Sequence, residues 1–244
     1  MICQSESIVL NQYKYGNSSL ICNLFTAHYG KVNIIAKGAR RLKNPHSAIL
    51  QPCNYIDAVY YFKHTRNIQT LKEANIISPF TNLKDNYNKM IYSLTIIDII
   101  NKISFHDNPC DIIFRLIKKT LEKFDLTSPE NIKLYYIFFQ IQLLIYLGYH
   151  PAFFQCYKCN KKFKEANFNL EIGQLFCLNC SSNKTKNIDY NSLQILEFLM
   201  THHIDNLEKK IDYKNLSIIN NLLYKFISYH IPEIRKSKLF LLEK

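Results

Sequence analysis

The chain has 244 residues, 48% hydrophobic and 14% aromatic, with 31 Lys and Arg against 19 Asp and Glu for a net charge of +12. That apolar content is enough to pack a core and excludes global disorder, while only five Gly and seven Pro exclude a collagen-like or linker-dominated chain. The charge is uneven, with net +6 over residues 1–80 and net +4 over 151–187. Localised charge of this kind points to a polyanionic partner.

The opening MICQSESIVL lacks the charged region and apolar run of a secretory signal. The longest apolar stretch, Tyr135–Leu147, is shorter than the roughly 20 residues of a bilayer span and contains Gln140 and Gln142. The expectation is a cytosolic protein without membrane segments. There thiols stay reduced, and paired cysteines signal metal rather than disulfides.

The first 80 residues read as strands. SESIVLNQYKY, SLICNLFTAHYG, KVNIIAKG, NYIDAVYYFKH and NIQTLKEANII are rich in Val, Ile, Tyr and Thr and are separated by turn-like spots at Tyr15–Asn17, His28–Gly30 and His64–Asn67. Five strands in so short a span suit a small closed barrel of the five-stranded OB type, and an SH3-like barrel fits the same pattern.

Two loops of that barrel are candidate nucleic-acid contacts. KGARRLK places Lys37, Arg40, Arg41 and Lys43 beside Gly38, which lets the backbone come close to a partner. The arginines can fork onto phosphate oxygens, and the lysines add point charge. The second loop carries Lys63, His64 and Arg66, with Tyr60, Tyr61 and Phe62 as possible stacking faces. The ordinary alternatives are solvated charge runs and core aromatics.

After Ser78-Pro79 the period changes. Met90, Ile91, Leu94, Ile97, Ile100 and Ile103 recur at three and four, predicting a helix over 82–103, widened to a central position by Ile96 and Ile99. Asn108-Pro109 marks the start of a second helix, with Ile112, Ile113, Leu116, Ile117, Leu121 and Phe124 on its apolar face. Its other face carries Arg115, Lys118, Lys119 and Lys123, either a solvated face or a seat for an acidic, hydrophobic peptide tail. Ser128-Pro129-Glu130 starts a third helix that ends near Gly148. Two more follow at about 190–203 and 214–230, the latter stopped by Pro232.

The strongest chemical signal lies between the third and fourth helices. Cys156-x-x-Cys159 and Cys177-x-x-Cys180 have the spacing of a four-cysteine zinc site. The intervening FKEANFNLEIGQLF can form the hairpin that joins them. Four thiolates leave no open coordination position, so the expected role of Zn²⁺ is structural. Lys158, Lys161, Lys162 and Lys164 surround the first pair, either as a DNA patch or as compensation for the negative charge of a four-thiolate zinc centre. No P-loop, GxSxG, HExxH or dinucleotide fingerprint is present, and nothing nominates a reaction.

Taken together, AKGARR (Ala36–Arg41), LQP (Leu50–Pro52), LKEANI (Leu71–Ile76), LGYHP (Leu147–Pro151) leading into CYKC, and GQLFCLNC (Gly173–Cys180) resemble the bacterial RecO family of recombination mediators, over nearly the full length. That resemblance implies an OB domain, a helical bundle and a zinc module set within it. It also implies binding of single- and double-stranded DNA, annealing of complementary strands and no catalytic turnover. The implied partners are the acidic C-terminal tail of single-strand-binding protein, RecR, and RecA indirectly, in the cytoplasm at the nucleoid. The residues after GARR, LKNPHS, depart from the small or basic residues usual there, so the loop can differ in shape.

The expected fold is therefore α+β: an OB-like barrel over 1–80, a helical domain over 81–152 and 188–244, and a four-cysteine zinc module over 153–187. The expected function is non-enzymatic mediation of recombination. The alternative is an RNA-binding or ribosome-associated zinc-ribbon protein, which charge and zinc fit equally well.

Overall fold

The computed structural model describes residues 1–103, 110–149, 155–182, 187–207 and 213–236. The start signal at Asn108-Pro109 and the His150-Pro151 pair of LGYHP lie outside these residues. By packing, the described chain divides into two compact units, Met1–Pro129 and Glu130–Lys236.

The first unit begins with five strands, β1 (Ile2–Tyr15), β2 (Ser19–Thr26), β3 (Gly30–Ala36), β4 (Tyr55–Tyr61) and β5 (Gln69–Ser78), with a short helix α1 (His46–Ile49) between β3 and β4. They close into a barrel in the order β1-β2-β3-β5-β4. Every contact is antiparallel except β3 with β5. This order settles the barrel type as OB-like. β1 serves two neighbours: Ile2–Ile8 pair with β4 and Ser7–Tyr15 with β2, and a register shift between Val9 and Asn11 bends the strand between them.

Alternation follows from the two-residue period of a strand with one buried face. In β3, Val32, Ile34 and Ala36 are buried while Lys31 and Asn33 are exposed. The inward residues, among them Leu24, Ile34, Ile56, Ala58 and Tyr60, form one core, to which the β3–β4 connection adds Ala39 and Leu50. Tyr60 is thus a core residue and offers no stacking face.

Three helices complete this unit: α2 (Thr81–Lys84), α3 (Tyr87–Lys102) and α4 (Cys110–Leu126). The single helix expected over 82–103 is two, because Asn86 takes an extended backbone and caps α3 by accepting from Lys89 N at 3.1 Å. Asp125 joins all three: its Oδ1 accepts from Leu83 N at 2.8 Å and its carbonyl from the buried Lys89 Nζ at 3.1 Å.

The second unit holds α5 (Ile132–Tyr146), the hairpin β6 (Ala166–Asn169) and β7 (Gln174–Cys177), α6 (Tyr190–Thr201) and α7 (Tyr213–His230). Ile132 to Ile141 of α5 are buried without a break, so this helix is enclosed on every side. Its buried Gln140 donates to Asn220 of α7 at 2.8 Å. Asp189 caps α6 by accepting from Ser192 N at 2.8 Å. The hairpin docks on α7 through Phe168, whose ring lies 5.4 Å from that of Phe226, and through His230, whose Nε2 lies 3.0 Å from the Leu170 carbonyl oxygen. Gly173, at φ +67°, turns the hairpin where a Cβ would come within 2.9 Å of the Phe226 ring.

Candidate functional site

Both Cys-x-x-Cys segments are tight turns. In the first, Asn160 N donates to the Cys156 carbonyl at 2.8 Å and Cys156 N to Lys161 at 3.0 Å. In the second, Cys180 N donates to the Cys177 carbonyl at 3.0 Å. The β6–β7 hairpin brings the turns together, and Tyr157 N donates across to Leu175 at 2.8 Å. As a result the sulfurs of Cys156, Cys159, Cys177 and Cys180 lie within 4.8 Å of one another.

A tetrahedron with metal–sulfur bonds of about 2.3 Å requires sulfur–sulfur edges of about 3.8 Å. The Cys159 and Cys177 sulfurs are 3.8 Å apart. A disulfide needs about 2.05 Å. The donor set therefore fits a shared cation and not a covalent pair.

Electrostatics agree. Burial pushes the Cys156 thiol up, but backbone hydrogen bonds from Cys177, Cys159 and Lys158 outweigh it and bring the thiol down to about 6. The Cys180 thiol is pushed up to about 12, chiefly by its hydrogen bonds to the sulfurs of Cys177 and Cys159. The sulfurs thus interact closely enough to titrate as one coupled set. Lys158, Lys161, Lys162 and Lys164 are exposed around this cluster.

The KGARRLK segment is a built loop. Gly38 sits at φ +69°, where a side chain would be strained, and Ala39 is fully buried in the barrel core. Arg40 N donates to the Ser18 carbonyl at 2.8 Å, its Nε to Ser19 at 3.2 Å and an Nη to Gly16 at 2.6 Å. Arg40 thus clamps the β1–β2 turn, a use that charge counting cannot reveal. Lys37, Arg41 and Lys43 remain exposed on the loop so anchored, and Leu42 between the last two is 98% exposed.

The β4–β5 loop is fixed from inside as well. Buried Gln69 accepts from Lys63 N at 2.9 Å and donates to the carbonyls of Lys63 at 3.2 Å and Arg66 at 2.6 Å. Lys63, His64 and Arg66 are exposed outside that brace. Phe62 is half-buried against the barrel core, and its ring is stacked on that of Tyr29 in the β2–β3 turn with centroids 6.5 Å apart.

The outer face of β2 and β3 is partly covered. Asn23 donates to Asn101 at 3.2 Å, and Lys31 Nζ donates to the carbonyls of Asn101 at 3.1 Å and Ile103 at 2.7 Å. Lys31 thereby caps the C-terminal end of α3, a favourable position for a cation, while burial lowers its pKa. Lys31 is therefore turned to α3, whereas Lys37, Arg41, Lys43, Lys63 and Arg66 are exposed on loops and Lys14 and Lys72 on strands. On α4, Lys118 donates to Tyr55 Oη at 2.9 Å and lies 3.7 Å from Glu6, while Arg115 pairs with Asp111 at 3.0 Å. Lys119 and Lys123 are half-buried. Lys118 thus faces the barrel, away from any open cationic stripe.

Among the described residues, no helix is long and apolar enough to cross a membrane. The family model described as "Recombination protein O N terminal" matches residues 1–80, and that described as "Recombination protein O C terminal" matches residues 84–239. A DNA repair protein RecO of Alkaliphilus metalliredigens is 26% identical over 250 aligned positions that span all of both chains. One from Caldicellulosiruptor saccharolyticus is 25% identical over 98% of this chain and 96% of its own. One from Salinibacter ruber is 32% identical over 151 residues, which take in 62% of this chain and 58% of that protein.

Proposed function

This chain belongs to the recombination protein O family, and on that premise we propose that it is a non-enzymatic mediator of recombination in DNA repair. It binds single- and double-stranded DNA, anneals complementary strands and, with RecR, helps load RecA onto DNA coated by single-strand-binding protein, whose acidic C-terminal tail recruits it. The observation that carries this reading is the set of exposed cations Lys37, Arg41 and Lys43 on an anchored loop of the closed barrel, with Lys63 and Arg66 on a second braced loop.

Such contacts release counterions from phosphates and read little sequence. Two cationic loops on one molecule can engage two strands and raise their local concentration. Cys156, Cys159, Cys177 and Cys180 hold one Zn²⁺ in this reading, and the ion supplies a cross-link between the two turns without an open position for chemistry. The protein works in the cytoplasm, at the nucleoid.

The test titrates oligo(dT), a duplex and an RNA of equal length across a salt series, and follows annealing of complementary strands with and without RecR. The expected result is salt-dependent binding of both DNA forms and faster annealing. Failure to bind DNA at low salt overturns the reading, and tight binding of RNA with refusal of DNA replaces it by the RNA-binding alternative.

A further inference from the structure

The barrel corner formed by the β2–β3 turn and the β4–β5 loop carries a row of aromatic rings. The His28 and Tyr29 rings meet edge-on with centroids 6.4 Å apart. Tyr29 and Phe62 are near-parallel, 19° between planes, and Phe62 meets His64 edge-on at 4.8 Å. Tyr29 is 53% exposed, so its ring is open to a ligand, and what sets it apart from other exposed tyrosines is the row of rings it belongs to.

These rings are held ready. Fully buried Thr26 accepts from Tyr29 N at 3.0 Å and donates to the Gly30 carbonyl at 2.9 Å, while Gly30 at φ +62° makes the turn. The opposite loop is braced by the three bonds of Gln69. A ring carried on backbone fixed in this way loses less freedom when a ligand lands on it. Neither HYGK (His28–Lys31) nor FKHTRNI (Phe62–Ile68) contains an acidic residue, and Lys63 and Arg66 are exposed beside the rings. Exposed π-faces next to unopposed cations suit a ligand that is both flat and anionic, and unpaired nucleotides are such a ligand.

We infer that Tyr29, with Phe62 and His64 behind it, is a stacking surface for unpaired nucleobases, so that this corner takes single strands by their bases while the KGARRLK loop takes phosphates. The inference rests on the DNA-binding reading above. A duplex keeps its base faces stacked internally and gains nothing here.

The experiment measures binding of the full-length protein to oligo(dT), to an abasic strand of equal length and to a duplex, for wild type, Tyr29→Ala and Tyr29→Phe. Tyr29→Ala should weaken oligo(dT) binding about tenfold, leave the abasic strand and the duplex unchanged and keep the salt slope. Tyr29→Phe, which retains the ring, should bind as wild type. His64→Ala should show a smaller loss with the same pattern. Equal losses on oligo(dT) and the abasic strand, or undiminished oligo(dT) binding by Tyr29→Ala, would overturn the stacking surface while DNA binding stands. A wild type that binds none of the three overturns both.

Discussion

Arg40 and Arg41 are neighbours of one residue type, yet they should fail differently. The Arg40 side chain makes two charge-assisted bonds to turn carbonyls, at 2.6 and 3.2 Å. Bonds of this kind contribute about 1.5–3 kcal/mol when desolvated, and partial exposure reduces the pair to about 2 kcal/mol in total. Arg40→Ala should therefore lower the melting temperature by about 4–8 °C. It should also release the loop that displays Lys37, Arg41 and Lys43, so the log–log salt slope on oligo(dT) should fall by more than the roughly 0.7 of a single lost phosphate contact. Arg41 rests its stem over Gly38 and is otherwise exposed. Arg41→Ala should change stability by less than about 0.5 kcal/mol and flatten the slope by about 0.7. Thermal unfolding beside a salt titration reads both quantities. An Arg40→Ala protein that melts like wild type and loses no more slope than Arg41→Ala would show that the clamp does not hold the loop.

The metal centre should appear as one zinc ion per chain in elemental analysis, lost in Cys156→Ser, and a strong chelator should lower the melting temperature; a purified protein with no metal and an indifferent melt refutes the assignment. Gly173→Ala puts a Cβ at a positive φ and against Phe226, and should cost about 1–3 kcal/mol, read as a melt lower by about 5 °C with cysteine spacing and metal content intact. The Tyr55–Lys118 contact predicts a loss at alkaline pH. Lys118 is raised above 10.5, first by its hydrogen bond to Tyr55, and Tyr55 is raised above 10.0, first by burial. Both folded-state shifts are upward, so their contribution is complete below about pH 10 and is lost as pH rises through the shifted values. Tyr55→Phe, which removes both the raised phenol and the first cause of the Lys118 rise, should show a shallower decline above pH 10 than wild type; parallel declines would refute the linkage.

Much of this was legible in the chain because periodicity is a local property. Five alternating runs correspond to five strands, and the spacing of the cysteine pairs with the segment between them points to the hairpin and its cluster. The helix expected over 82–103 divided at Asn86 because capping by a side chain outcompeted a continuous apolar pattern. Long-range polar contacts left no such trace. Nothing in KGARRLK distinguishes the arginine that reaches back 24 residues to Gly16 from the one left in solvent. The same holds for Lys31 and Lys118, whose partners lie 70 and 63 residues away. His28–Gly30 reads as a turn, and a turn pattern does not say that the Tyr29 ring will stand beside Phe62. The signal available was an aromatic residue in a turn with no apolar neighbour in sequence.

The way β1 is shared between two neighbours bears on the order of folding. The β1–β2 and β2–β3 hairpins join residues close in sequence and need little loop closure. The seam of β1 with β4 joins groups 61 residues apart, as between Met1 and Phe62, and the parallel seam of β3 with β5 joins Ile34 to Gln69. Non-local seams carry the larger entropic cost and form late. The aromatic row spans two locally closed hairpin connections, one holding Tyr29 and the other Phe62 and His64, which only the non-local seams bring together. It therefore exists only once the barrel has closed. On the proposed reading, a chain whose barrel has not closed has its cations but no ring row, so stacking on unpaired bases waits for closure.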